Sequence, residues 1–310
     1  MSKVSFSKFN RRRLLGAGLT LLGSATLPRL GFAAAAGLTE LHADLALISD
    51  VGANVLALRT SEGIVLVDSG AEQHSATLNN HLGSLGDGKV SALINTHWHA
   101  DQTGSNVLLG ERGVEIIAHA KTRAHLATDY YVPHEERYHR AIAKAGVPTT
   151  TFFTTESRTI GGQHVECGYL RQAHTDGDIY VFLRDKNVLA VGDVASPEKD
   201  PELDWYGGGW LGGRVDAMDL LLSLADEQTQ IVPAYGSVMT RAQLQAERDM
   251  LAFLYEKTVE LMREGKSAQE MFTGGLMQGL PRQFTDPERF LYSNYKGLWA
   301  HHNKLAPNVV

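Results

Sequence analysis

Apolar residues along this chain come in short blocks bounded by turn formers. Asn54–Leu58, Ile64–Asp68 and Val90–Asn95 are rich in Val, Ile and Leu and end near Gly, Asp or Asn, the pattern of buried strands. Glu72–Leu85, between the last two, has helical character, and Val114–Ala118 predicts another strand leading into a helix over Ala120–Thr128. The stretch from Asp129 to Thr151 is polar and aromatic; it predicts a helix over His134–Ala145, stopped by Gly146 and Pro148. Strands are expected again at His164–Leu170, Ile179–Leu183 and Val188–Val191. Pro197 to Gly213 reads as a glycine-rich loop, followed by an amphipathic helix over Asp216–Asp226 with Met218, Leu221, Leu222 and Ala225 on one side. A strand at Gln230–Pro233 precedes a long helix, Thr240–Glu264, with Leu244, Leu251, Leu254 and Leu261 as its buried stripe. Pro287–His302 closes the pattern as a final helix. Strands and helices alternate without repeats or a low-complexity linker, so residues 37–310 read as one layered α/β domain.

Charge separates the first residues from the rest. The chain of 310 residues carries 29 Lys and Arg against 35 Asp and Glu, but residues 1–36 hold six of the cations (Lys3, Lys8, Arg11, Arg12, Arg13 and Arg29) and no acid. The remainder has 23 cations against 35 acids, a balance that repels phosphate backbones and argues against nucleic-acid partners. In the head, Asn10-Arg11-Arg12-Arg13-Leu14-Leu15 is followed by an apolar run to Leu27 and small residues at Ala33 to Ala36. This is the layout of an export signal of 1–36 cleaved near its end. The run is too short and glycine-rich for a stable membrane span. Its paired arginines resemble a twin-arginine signal, which implies the export machinery as a partner and a periplasmic destination for a protein folded before export. Cys167 is the lone cysteine, so no intramolecular disulfide forms, and it is read as a small buried hydrophobe.

The chemistry concentrates in Thr96-His97-Trp98-His99-Ala100-Asp101-Gln102, at the exit of an expected strand. Two imidazoles two residues apart and a carboxylate two further on can converge on one ion, and that donor set suits zinc or iron. Two later segments, Ala173-His174-Thr175-Asp176-Gly177-Asp178 and Gly192-Asp193-Val194, also end apolar runs. His174 could complete a three-imidazole site with a position left for water, whose pKa a Lewis-acidic metal lowers from ~16 to about 7.

These motifs resemble the metallo-β-lactamase superfamily, whose hallmark is His-x-His-x-Asp-His with a later His, an Asp and a final His. The resemblance runs from roughly residue 40 to residue 250 and includes Ile231-Val232-Pro233-Ala234-Tyr235-Gly236, which is similar to the segment before the family's last His. It implies a four-layer αβ/βα sandwich of two mixed sheets flanked by helices. It also implies that His97, His99 and His174 hold a first metal, that Asp101 is the second-site carboxylate, and that Asp193 is shared. Two positions depart from the family: Gln102 stands where a second-site His is usual, and Tyr235 stands where the last His would be. A neutral amide and a phenol are weak zinc ligands beside imidazole, so one zinc is expected, with the second site weak or empty.

In such a site Asp101 would orient water and act as general base, and the Tyr235 hydroxyl would donate to a developing oxyanion. Asp178 is read as serving the structure or as an outer support, and Trp98 as packing beside the metal loop. Tyr130, Tyr131, His134, Tyr138 and His139, with Trp205, Tyr206 and Trp210, are candidates for a substrate lid or for simple packing, and His301-His302 is read as a solvated end. The expected function is an exported zinc hydrolase acting on a small-molecule ester, lactone, lactam or thioester. The alternatives are a mono-iron sulfur dioxygenase using His97, His174 and Asp193, or a non-catalytic periplasmic metal-binding accessory protein.

Overall fold

The computed structural model describes residues 37–132 and 136–303; the expected signal at 1–36 and the lid candidate His134 lie outside them. Fourteen strands are found among those residues. Strands β1 (Leu38–His42), β2 (Leu45–Ile48), β3 (Val55–Thr60), β4 (Gly63–Val67), β5 (Val90–Ile94) and β6 (Glu115–His119) form one sheet in that order. A separate hairpin, β7 (Tyr130–Val132) and β8 (Arg137–His139), follows, and β9 (Thr150–Phe152) returns to the edge of the first sheet beside β6. The second sheet runs β10 (Thr155–Ile160), β11 (Gln163–Tyr169), β12 (Ile179–Leu183), β13 (Val188–Gly192) and β14 (Gln230–Pro233). Both sheets are mixed: β4, β5, β6 and β9 are parallel, as are β13 and β14, and the other pairs are antiparallel.

The period of two along each strand sorts side chains into layers. Val65 and Val67 of β4 face inward with Ile179, Val181 and Leu183 of β12, in the core between the sheets. The alternate residues Ile64 and Leu66 pack outward against Leu78 and Leu82 of α1 (Ser75–Ser84). The short helices α2 (Ala100–Thr103), α3 (Asn106–Glu111) and α4 (Ala120–Leu126) follow on the same half of the chain. On the far side, Tyr180 and Phe182 of β12 pack outward with α5 (Leu211–Leu224), α6 (Arg241–Arg263) and Phe290 of α8 (Pro287–Asn303), beyond the short α7 (Ala268–Thr273). The layers are therefore helix, sheet, sheet, helix, as expected.

Three expectations need correction. The helix expected over His134–Ala145 is not there: its described part contains strand β8, which pairs with β7 through Tyr130↔His139, Tyr131↔Tyr138 and Val132↔Arg137, and then a single 3₁₀ turn at Lys144–Gly146. Aromatic cross-strand pairs favour the hairpin, and the Tyr130 and His139 rings stack at 5.0 Å. Helix α5 begins at Leu211, inside the stretch read as loop, because its glycines serve close approach. A Cβ at Gly212 would enter the Trp210 ring, and one at Gly213 would enter the Gln172 carbonyl. Finally, His301 is not solvated; it is half-buried and stacks on Trp210 at 3.6 Å.

Candidate metal centre

The functional loops all leave the same end of the sandwich. Strand β4 runs into Asp68, β5 into His97 and His99, β13 into Asp193 and β14 into Tyr235, while His174 sits in the connection from β11 to β12. Backbone bonds from Ile179 to the Thr96 carbonyl and from Ala234 to the Gly192 carbonyl stitch these exits together. Gly192 has φ +54°, and a Cβ there would lie 2.8 Å from Thr96 Oγ1 and 3.5 Å from the His97 ring. A side chain at that position would push Asp193 away from the histidines.

His97, His99, His174 and Asp193 each present one ligand atom, and the four lie within 4.8 Å of one another. Each imidazole has its other nitrogen anchored. Thr96 Oγ1 donates to Asp68 and therefore accepts from His97 Nδ1 at 3.2 Å; His97 Nε2 is buried with no hydrogen-bond partner. His174 Nδ1 donates to the Glu202 carbonyl at 2.9 Å, leaving Nε2 inward. His99 is turned the other way, with Nε2 on Asp204 at 3.1 Å and Nδ1 3.1 Å from His174 Nε2. Asp193 Oδ2 lies 3.5 Å from His97 Nε2 and 3.8 Å from His174 Nε2. Ligand atoms about 2.0–2.1 Å from a tetrahedral zinc are roughly 3.4 Å apart, so these spacings fit that ion. A buried, unpartnered imidazole nitrogen pointing into the cluster fits it too.

The electrostatics agree with a cation site. Burial, and then the neighbouring His99 and His174, push the His97 pKa well below its ordinary value, so its ring is neutral and ready to ligate. Burial opposes charge on His99, but the Asp204 hydrogen bond and the surrounding carboxylates raise its pKa. Burial and the facing Asp101 lift Asp193 to about 7. A divalent cation would relieve this crowding of buried carboxylates and draw Asp193 into its ionised form.

Asp101 stands outside the set of four. Its carboxylate accepts the Tyr235 hydroxyl, which joins the two residues that sequence reading paired in a catalytic role. Gln102 is fully buried, and neither end of its amide has a hydrogen-bond partner.

The sequence model of the metallo-beta-lactamase superfamily matches residues 48–230. The chain belongs to that superfamily, and it is a hydrolase of it. It is 28% identical over 216 residues to a metallo-beta-lactamase type 2 of Bacillus cereus, covering 68% of this chain and 78% of that one. Among solved structures, a metallo-beta-lactamase from Pontibacter korlensis superposes with a TM-score of 0.57 at 20% identity, over 69% of this chain and 98% of that one. The stereoselective inverting sec-alkylsulfatase Pisa1 from Pseudomonas sp. gives 0.63 at 18% identity, over 88% of this chain and half of that one. At such identities the two structures speak for the fold alone.

In this metallo-β-lactamase fold the cluster opens into a cavity of about 1050 Å³. Trp98 is both packing and wall: it stacks on His125 at 4.6 Å and lines the cavity with Tyr130 and Val132 of the hairpin. Tyr206 also lines it, and its hydroxyl donates to the Tyr131 carbonyl, tying the glycine-rich loop to the hairpin. Tyr131 and Tyr138 are largely exposed, and Trp210 packs on Tyr255 and His301 instead.

Three supporting residues escaped the sequence reading. Asp204 orients His99. Asp68, at φ +62°, accepts both the Thr96 amide and hydroxyl; burial nonetheless pushes its carboxyl up to about 8. Asp178, which the sequence reading did name, accepts the Thr175 amide and hydroxyl beside His174. Arg214, fully buried, donates to the carbonyls of Asp193, Val194 and Glu202 and to Ser196 Oγ. An acid ending an all-apolar strand, as in Val67-Asp68, was the available signal for Asp68; a lone arginine amid apolar helix positions gave none. No helix of the described residues is long and apolar enough to cross a membrane.

Proposed function

We propose that this protein is a zinc hydrolase with one ion per chain, cleaving a carbonyl ester, lactone, lactam or thioester. The observation that carries the reading is the four-ligand cluster of His97, His99, His174 and Asp193, with Asp101 held outside it by Tyr235. Zinc, when bound there, polarises a carbonyl and acidifies water.

The chain's own residues do the rest. Asp101 lines the cavity beside the cluster, where its carboxylate can orient the attacking water and accept its proton, then return that proton to the leaving group. The Tyr235 hydroxyl fixes Asp101 in the resting site and can turn to donate to the oxygen that gains charge. Asp204 and the Glu202 carbonyl keep His99 and His174 in the tautomers that ligation needs. A dioxygenase built on two imidazoles and a carboxylate would not need the third imidazole, whose Nδ1 lies 3.1 Å from His174 Nε2; this favours the zinc reading. The Bacillus cereus relative makes β-lactams one member of the substrate panel.

The test is a screen of the zinc-loaded protein against esters, lactones, β-lactams and thioesters. Hydrolysis of at least one class, abolished by His97→Ala and lowered about 10²-fold or more by Asp101→Ala, is expected. An Asp101→Ala variant as active as the parent would remove Asp101 from the chemistry. We further propose that residues 1–36 are a twin-arginine export signal, residues 37–310 the hydrolase domain, and the periplasm its destination, on the basic and apolar pattern of that head.

A further inference from the structure

Trp98 touches two histidine rings. One is His99 of the metal cluster, edge-on at 4.4 Å; the other is His125 of α4, stacked at 4.6 Å with the planes 14° apart. His125 stands outside the cluster of four ligands and takes no part in the hydrolysis described above. It also meets the Tyr130 ring edge-on at 5.5 Å, so it belongs to the aromatic wall of the cavity. Its Nε2 lies 2.9 Å from Asp176 Oδ1, which makes a second histidine–aspartate pair beside the first site.

Asp176 is fixed from several sides. Its Oδ2 lies 3.3 Å from the Lys121 ammonium, its amide donates to the Gly207 carbonyl at 2.9 Å, and its carbonyl accepts the Tyr169 hydroxyl at 2.9 Å. A carboxylate only accepts, so His125 Nε2 donates to it and the neutral ring keeps its lone pair on Nδ1. That nitrogen has no hydrogen-bond partner among the described residues. The side chain is 21% exposed and lines the cavity with Leu126, Tyr130 and Val132. Packing on Trp98 needs no carboxylate behind the ring, and a phenyl group would serve. A tautomer set from behind makes Nδ1 an oriented acceptor on an aromatic wall.

We propose that His125 is a specificity-determining residue of this cavity, whose Nδ1 accepts a hydrogen bond from a hydroxyl or N–H of a substrate lying on the Trp98 and Tyr130 wall. This deepens the hydrolase reading and rests on it for the word substrate. It defines a class: carbonyl compounds with an aromatic or apolar body and one uncharged O–H or N–H donor away from the scissile bond. An analogue without the donor is disfavoured because it covers the nitrogen and leaves it unpaired.

Two aryl esters, 3-hydroxyphenyl acetate and 3-methoxyphenyl acetate, test it on the zinc-loaded protein, since only the first carries a donor. The expected result is a preference of about tenfold in kcat/KM for the hydroxy ester, lost in His125→Phe, which keeps a ring on Trp98. The ketones 3-hydroxyacetophenone and 3-methoxyacetophenone give the same comparison without turnover, as calorimetric Kd values. Asp176→Asn separates recognition from packing. Lys121 holds the amide oxygen, the amide NH2 turns to Nε2, and Nδ1 becomes a donor, so the zinc-loaded variant should prefer the methoxy ketone. The proposal is overturned if the parent binds the two ketones alike or binds neither, if His125→Phe keeps the preference, or if Asp176→Asn keeps it at the parent's level. Failure of the parent protein to cleave either ester counts against the ester reading instead, and the ketone Kd values then decide on His125 alone.

Discussion

Which nitrogen a histidine offers to a metal depends on what holds the other one. Here Thr96, Asp204 and the Glu202 carbonyl hold His97, His99 and His174, and only Thr96 lies next to its histidine in sequence. The ligand residues were therefore legible from their spacing, but their partners across the loops were not. Replacing Asp204 by Ala should weaken zinc binding by roughly 10- to 100-fold, measured by competition with a chelator; an unchanged affinity would mean that His99 is oriented without it. The pH dependence follows from Asp193. Its carboxyl is raised to about 7 in the metal-free protein, so the folded chain keeps a proton there that the unfolded chain loses near 4. That proton's stabilising contribution to the metal-free fold is present at low pH and lost as pH rises towards 7. Zinc must displace it, so zinc affinity should rise between pH 6 and 8 with release of protons. Calorimetry in buffers of different ionisation enthalpy measures this release.

Elements with a strong period were legible; those made by pairing were not. Helix α6 was readable from its leucine stripe and from Thr240 and Gln243, which form a reciprocal capping box at its start. The hairpin β7–β8 and the polar edge strand β10 (Thr-Glu-Ser-Arg-Thr-Ile) lack a continuous apolar signal and depend on their neighbours. Arg214 shows the same limit at the level of loops, since one helix residue joins the Asp193 and Glu202 segments through their carbonyls. Substituting Arg214 by Met leaves those carbonyls without their donor and the buried Glu247 with Arg282 as its remaining neighbouring cation. It should destabilise the protein by about 3–5 kcal/mol in denaturant unfolding and lower zinc affinity as well. A loss below about 1 kcal/mol would show that the loops hold their positions without it.

At the scale of the whole molecule, the four layers serve to bring five chain segments to one end of a sandwich, so that a cluster of ligands and a cavity of about 1050 Å³ form without a disulfide. The layering was legible because nearly every strand alternates between two buried faces; the depth of the cavity, which depends on the hairpin and α8, was not. The basic head of the sequence carries its own prediction. Arg11→Lys with Arg12→Lys should abolish periplasmic accumulation, followed by fractionation and immunoblotting, and normal accumulation would remove the twin-arginine reading. The single-zinc centre is tested by the metal content of the purified protein, measured by elemental analysis after expression without added metal. About one zinc per chain, lost in His97→Ala, is expected. Two zinc ions per chain would contradict the reading of Gln102 and Tyr235, and one iron would contradict the hydrolase.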